Sequence, residues 1–175
     1  MTMHTPLPPD TDELDSDPSD ESSPACILVF NASDPSGAGG LTGDIATIAS
    51  VGGHAIAVVT GAYARDTAQI FDHFCLDDEA VAEQARAVLA ALPVQAIKAG
   101  FVGSTANSST IAEIAADYDD VPVIAYMPNL SWWREELIDE YLDAFRELLL
   151  PQTSVLVGNH STLWRWLLPD WSSDR

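Results

Sequence analysis

Basic residues are scarce in this 175-residue chain: Lys and Arg together number 7 against 27 Asp and Glu, the formal charge is −20, and Lys98 is the single lysine. A field of that sign repels nucleic-acid phosphates and anionic lipid, because binding to either depends on Lys and Arg releasing condensed counterions. Polyanion binding is therefore excluded as a main activity, and no nucleic-acid or membrane partner is expected. The only two cysteines are Cys26 and Cys75. A chain of this length buries roughly two-thirds of its unfolded surface and needs no covalent staple, so both are expected to be inert, buried thiols.

Long apolar runs are also missing. The stretch Cys26-Ile27-Leu28-Val29-Phe30 is strand-sized, far below the ~18 residues of a spanning helix. The N-terminus begins with prolines and acids where a secretory leader would place basic residues and an apolar stretch, so a cytoplasmic protein is expected. Several chemical signatures are lacking as well. A G-x-G-x-x-G fingerprint from Gly37 fails at Thr42, and a Walker A motif fails because the sole lysine follows Ile97. His4, His54, His73 and His160 are scattered without zinc-ligand spacing. There is no G-x-S-x-G elbow.

The present features begin with a tail, residues 1–24, that holds seven acids and five prolines and neither Lys nor Arg. Such a segment cannot bury enough apolar surface to offset its ordering entropy, and it is expected to be a disordered acidic tail. From residue 25 onward, short β-branched runs alternate with longer amphipathic stretches, the pattern of repeated βα units around a parallel sheet. The expected strands are 25–31, 54–60, 94–99, 121–126 and 153–157, and the expected helices 40–52, 78–91, 106–118 and 133–149. Residues 68–75 alternate enough for an extra short strand or flap. A last element over 162–171 carries Trp164, Trp166 and Trp171, which want burial in the core or against a partner.

The most informative stretch is Asn31-Ala32-Ser33-Asp34-Pro35-Ser36-Gly37-Ala38-Gly39-Gly40-Leu41-Thr42-Gly43-Asp44, between the first strand and the first helix. Its small residues let backbone approach a ligand, and the helix start presents free N–H groups. In an open parallel sheet this loop lies at the carboxyl end of a strand, where ligands bind. The plainer reading is a glycine-rich turn that only joins strand to helix.

The segment Ser33 to Asp44 resembles the opening motif of the hydroxymethylpyrimidine/phosphomethylpyrimidine kinases of thiamine biosynthesis, G-S-D-P/S-S-G-G-A-G-I-Q-A-D. Two further stretches follow in the same order. Val58-Val59-Thr60-Gly61-Ala62-Tyr63-Ala64-Arg65-Asp66-Thr67 is similar to V-I-T-A-L-T-A-Q-N-T, and Ala96-Ile97-Lys98-Ala99-Gly100-Phe101-Val102-Gly103-Ser104 to A-I-K-I-G-M-L-G-S. The resemblance runs from about residue 25 to about residue 160. It implies an α/β fold with a three-layer, doubly wound, mainly parallel sheet, ribokinase-like and lacking the family's C-terminal part, with residues 25–175 forming that partial domain.

The resemblance implies ATP-dependent phosphorylation of hydroxymethylpyrimidine or its phosphate, with ATP and Mg²⁺ as cofactors and a pyrimidine-like small molecule as ligand. It places Ala38, Gly39, Gly40, Asp44, Arg65, Gly100 and Phe101 around that ligand. Asp44 holds the family's substrate-binding aspartate position, where a carboxylate can accept from an exocyclic amine or hydroxymethyl group. Arg65 stands where the family has a glutamine, exchanging a donor–acceptor amide for a donor-only cation, and Phe101 replaces a pocket methionine. Lys98 and Asn159 are phosphate-binding candidates, and Lys98 is equally readable as a strand-end residue. No catalytic residue is assigned and no metal ligand is expected from the residues present.

The departures gather toward the C-terminus. Met127 falls at a family aspartate, and Thr162 at a glutamate that the family places near nucleotide and magnesium; a threonine does not replace that carboxylate ligand. The G-T/S-G-C/D anion hole has no counterpart before the sequence ends. Phosphoryl transfer needs the γ-phosphate positioned and its charge neutralised, so weak or no kinase activity is expected of this chain alone. The alternative is a non-catalytic pyrimidine- or phosphate-sensing module. It would act through a homodimer or protein partner that covers an exposed surface rich in tryptophan, drawn from Trp132, Trp133, Trp164, Trp166 and Trp171.

Overall fold

The computed structural model describes residues 23–167. The expected acidic tail therefore lies outside the described residues but for Ser23 and Pro24, which are exposed and carry no regular structure. Trp171 and the end of the expected last element also lie outside them.

The elements run β1 (Cys26–Ser33), α1 (Gly40–Ser50), β2 (His54–Arg65), β3 (Ile70–Cys75), α2 (Asp78–Leu89), β4 (Ala96–Ala99), α3 (Thr105–Ala116), β5 (Val123–Met127), α4 (Glu135–Ala144), β6 (Val155–Gly158) and α5 (His160–Leu167). The strands form one sheet in the order β3-β2-β1-β4-β5-β6. All neighbours are parallel except β2 and β3, which are antiparallel. The chain thus winds outward from β1 in both directions, first to β2 and then through β4 to β6, with helices on both faces. This is a three-layer, doubly wound α/β fold.

Alternation along each strand sorts the residues between two unequal faces. Leu28 and Phe30, Ile56 and Val58, Ile97 and Ala99, and Val123, Ala125 and Met127 belong to the main buried core. Helices α2, α3 and α4 pack side by side in the layer on that side. Their ends are well specified: the Asp77 carboxylate accepts from the Ala80 N–H, and the Ser104 hydroxyl from the Asn107 N–H, which satisfies donors that a helix start leaves unpaired. The opposite face carries Val29, Asn31, Lys98, Ile124, Tyr126, Val155 and Val157. There α1 packs on β1 and β2. Over β5 and β6, Tyr126 is 39%, Val155 50% and Val157 44% exposed.

Three expectations are corrected. The second strand runs to Arg65 instead of stopping at residue 60, because β3 gives its far half an antiparallel hydrogen-bonding partner. The helix expected over 133–149 begins at Glu135 and passes at Phe145–Leu149 into one π-helical turn, then into a 3₁₀ turn, Leu150–Gln152, that contains Pro151. Cys75, expected to be buried, is exposed because β3 is the edge strand, although the Asn107 side-chain amide donates to its sulfur at 3.2 Å.

Nor do the tryptophans among the described residues form an exposed surface. Trp132, Trp133 and Trp166 are half-buried against the core, and Trp164 is half-buried on α5. The exposed apolar side chains of the sheet are instead Tyr126, Val155 and Val157 on one face, with Phe71 and Phe74 on β3.

Candidate functional site

At the carboxyl ends of β1, β4, β5 and β6, on the α1 side, lies a cavity of about 280 Å³ lined by Asn31, Gly39, Gly40, Asp44, Lys98, Ile124, Tyr126 and Val157. That volume is at the small end for ligand pockets and suits a single-ring molecule. Each polar group reaches it from a different element. Asn31 lies in the buried stretch of β1, Lys98 projects from β4, and Asp44 comes from the first turns of α1.

Backbone geometry makes this convergence possible. Gly40 has a φ of +57°, and a Cβ there would lie 2.6 Å from the Ala32 carbonyl oxygen and 2.8 Å from the Asp34 Cβ. Only glycine lets α1 begin so close to the end of β1. Gly100 is equally confined: a Cβ there would fall 2.4 Å from the Asn31 side-chain amide. The Asn31 amide therefore lies flat across the end of β4.

Lys98 Nζ and Asp44 Oδ2 form an ion pair at 2.6 Å, with the side chains 24% and 17% exposed. The same Oδ2 accepts from Asn31 Nδ2 at 2.8 Å. Asn31 Oδ1 in turn accepts from the Ala32 N–H at 2.9 Å, which fixes the amide orientation. The Lys98 ammonium also lies 6.0 Å from the centroid of the Tyr126 ring, within reach of a weak cation–π attraction.

A second polar cluster holds the glycine-rich loop. Asp34, 2% exposed, accepts on Oδ1 from the Ser36 N–H at 2.8 Å and the Ser36 hydroxyl at 2.6 Å. Its Oδ2 pairs with Arg65 Nη1 at 3.1 Å. Arg65 Nε donates to the Asp66 carbonyl at 2.9 Å. The loop is thus tied to the far end of β2.

The expected site residues divide accordingly. Gly39, Gly40, Asp44 and Lys98 come together around the cavity, and Gly100 supports it from below through Asn31. Ala38 is exposed on the loop outside the lining. Arg65 is engaged by Asp34 and does not line the cavity. Asn159 is exposed, and its side-chain oxygen caps α5 by accepting from the Ser161 N–H and hydroxyl at 2.9 and 2.7 Å. Phe101 is 1% exposed and lies on the other side of the sheet. Its ring stands 4.9 Å from those of His73 and Trp133 and 5.3 Å from Tyr141, so it is a centre of the aromatic core. Burial there drives the His73 imidazole down to about 4 and pushes the Tyr63 and Tyr141 hydroxyls well above the usual phenol range.

Asn31, Ile124, Tyr126 and Val157 were missed by sequence reasoning. For Asn31 there was one available signal, a polar side chain set in an otherwise apolar strand. Among the described residues no three His, Cys, Asp or Glu side chains converge to hold a metal ion. Met127 is fully buried in the core and Thr162 is 8% exposed, so neither position offers Mg²⁺ a carboxylate. Among the described residues, the two positions at which the family resemblance places carboxylates therefore supply no magnesium ligand.

A crevice at the carboxyl ends of parallel strands, where the winding reverses direction at β1, is the position at which doubly wound folds hold their ligands. Residues 34–168 match the family model for phosphomethylpyrimidine kinase, and the chain belongs to that family. It is 30% identical over 137 residues to the hydroxymethylpyrimidine/phosphomethylpyrimidine kinase of Streptomyces coelicolor, a match covering 78% of this chain and 51% of the relative. The enzyme of that name from Escherichia coli is 26% identical over 133 residues, covering 75% and 50%. The chain thus spans about half the length of the curated relatives it matches. Among solved structures, the phosphomethylpyrimidine kinase of Clostridium difficile 630 shares the fold with a TM-score of 0.73 at 22% identity, over 81% of this chain and 64% of that one. A pyridoxal kinase from Staphylococcus aureus, in complex with AMP-PCP and pyridoxal, gives 0.70 at 18% identity, over 83% and 52%. The ribokinase-like fold is therefore established. No helix among the described residues is long and apolar enough to cross a membrane.

Proposed function

We propose that residues 25–175 form the acceptor-binding part of a phosphomethylpyrimidine-kinase-like domain, which binds hydroxymethylpyrimidine or its phosphate in the cytoplasm as part of thiamine-related pyrimidine metabolism. The observation that carries this reading is the convergence of Asp44, in the family's substrate-binding position, with Lys98 and Asn31 on one ring-sized cavity. Ile124, Tyr126 and Val157 supply an apolar wall for a flat ring. The Asp44 carboxylate accepts from the ligand's exocyclic amine or hydroxyl, and Lys98 donates to a ring nitrogen or to a phosphate oxygen.

ATP would supply the transferred phosphoryl group in the family's reaction, with Mg²⁺ neutralising its charge. Met127 and Thr162 stand at the two family carboxylate positions, which supports the reading of this chain alone as a binder with weak or absent turnover. Calorimetric titration with hydroxymethylpyrimidine, its phosphate and Mg-ATP, followed by a coupled ADP assay, tests the reading. The expected result is saturable pyrimidine binding with little ADP release. Absence of pyrimidine binding would refute it, and rapid turnover would refute the limit placed on catalysis.

A second reading, a sensing module that works through a protein partner or a homodimer, is favoured by the exposed Tyr126, Val155 and Val157 beside the cavity. Such a patch on one sheet face, next to edge strand β6, is the kind of surface that association covers. Sedimentation velocity distinguishes the readings, because a monomer at all concentrations argues against the homodimer.

A further inference from the structure

We infer that Asn31 is a positioning residue of this cavity: it and Lys98 together bind one oxygen of Asp44 and so present the other oxygen to the ligand. The inference deepens the pyrimidine reading and depends on it only for the identity of the ligand. Both donors meet at the same atom, Asp44 Oδ2, at 2.6 Å from Lys98 Nζ and 2.8 Å from Asn31 Nδ2. No described protein group donates to Oδ1.

A carboxylate has about four lone-pair sites on its two oxygens, and here the protein engages one oxygen while the other stays available. Asn31 cannot rotate away from this task. Its Oδ1 is held by the Ala32 N–H, its amide is pressed against Gly100, where any Cβ would come within 2.4 Å, and it is 5% exposed. The strand pairing is adjusted at the same place. Asn31 opposes Val59 while Ala32 opposes Gly61, so β2 carries one extra residue, Thr60. Bulges of this kind re-aim side chains beside binding sites.

The chemical consequence is selectivity for a ligand that brings an N–H or O–H donor to Asp44 Oδ1. A ring amine satisfies that oxygen, whereas an isosteric ring without the amine leaves it desolvated and unpaired. A hydrogen bond to a charged group corresponds to about ten- to hundredfold in affinity.

The test compares hydroxymethylpyrimidine with its deamino analogue on the full chain, by calorimetry, for the wild type, Asn31→Leu and Gly100→Ala. Asn31→Leu removes the donor at similar volume, and Gly100→Ala displaces the amide from the opposite side. The wild type should prefer the amino ligand by at least about tenfold. Both variants should lose most of that preference by weakening the amino ligand alone. Equal weakening toward both ligands would mean a merely structural role and would overturn the inference.

A readout without ligand keeps the two claims apart. The Asn31 side-chain amide protons should exchange with solvent about tenfold faster or more in Asp44→Ala than in the wild type, since their acceptor is gone. If the wild type binds neither ring, the pyrimidine reading fails and this exchange decides the matter. Unchanged exchange would then overturn the role of Asn31, and the expected acceleration would uphold it. Where Asn31→Leu does not fold, Asn31→Ala removes the same donor without added bulk.

Discussion

Replacing Arg65 by Met should destabilise the fold while leaving ligand affinity nearly untouched, contrary to what its place in the sequence motif suggests. The Asp34 carboxylate that it pairs with has a side chain only 1% exposed, and the Arg65 side chain itself is 17% exposed. Removing one partner of a buried pair costs about 3–5 kcal/mol, because the remaining charge is left uncompensated. Asp34 keeps two hydrogen bonds from Ser36, at 2.8 and 2.6 Å, so the lower end, about 3 kcal/mol, applies. For a chain of this size that lowers Tm by about 6–12 °C. Arg65→Gln, which can still donate one neutral hydrogen bond, should recover about 1 kcal/mol of the loss. The assay is urea and thermal unfolding followed by tryptophan fluorescence, with calorimetric titration of hydroxymethylpyrimidine on the same samples. Adding Asp34→Asn to Arg65→Met should cost little more, since the two positions are coupled. Unchanged stability together with abolished pyrimidine binding would refute the reasoning and make Arg65 a ligand contact.

Two further perturbations probe the aromatic core. Phe101→Ala should cost about 3–5 kcal/mol in chemical denaturation, the range for truncating a buried aromatic; a change below 1 kcal/mol would return Phe101 to the pocket wall that the motif suggests. His73 titrates near 4 in the folded chain against an ordinary 6.5 because burial disfavours its charged form. As pH falls through 6.5 the unfolded state takes up the proton first, so stability is lost between pH 6.5 and about 4 and is fully present above that window. The histidine's share of that loss is about 3 kcal/mol. His73→Phe should remove that component when unfolding free energies of the two proteins are compared from pH 7 to pH 4, and an unchanged difference across the window would contradict the assignment.

The layer architecture was readable from the sequence because β1 and β5 carry compact apolar runs and the helices carry stripes at three- and four-residue spacing. The outer half of β2 was not, since Gly61, Ala62 and Ala64 give no apolar alternation and the strand is completed by pairing with β3. Asp44 and the glycine cradle stood out as a motif. The partners of Asp44 did not, because Asn31 and Lys98 lie 13 and 54 positions away and no local spacing connects them. Arg65 and Phe101 were assigned to the ligand by resemblance alone. The fold gives each a nearer partner, Asp34 for the guanidinium and the Tyr141–Trp133 cluster for the ring. The tryptophans fared similarly: their number suggested an exposed interface, yet the β5–α4 connection turns Trp132 and Trp133, and α5 turns Trp166, against the core.

The central claim is that a pyrimidine ligand binds beside the Lys98–Asp44 pair, and the single lysine makes it directly observable. In protein labelled with ¹⁵N only at lysine, the side-chain ammonium of Lys98 is the sole side-chain signal of its kind. Titration with hydroxymethylpyrimidine should move that signal saturably, with the dissociation constant found by calorimetry, and Asp44→Asn should abolish the movement. A resonance that stays in place while calorimetry reports binding would locate the ligand elsewhere and contradict the account.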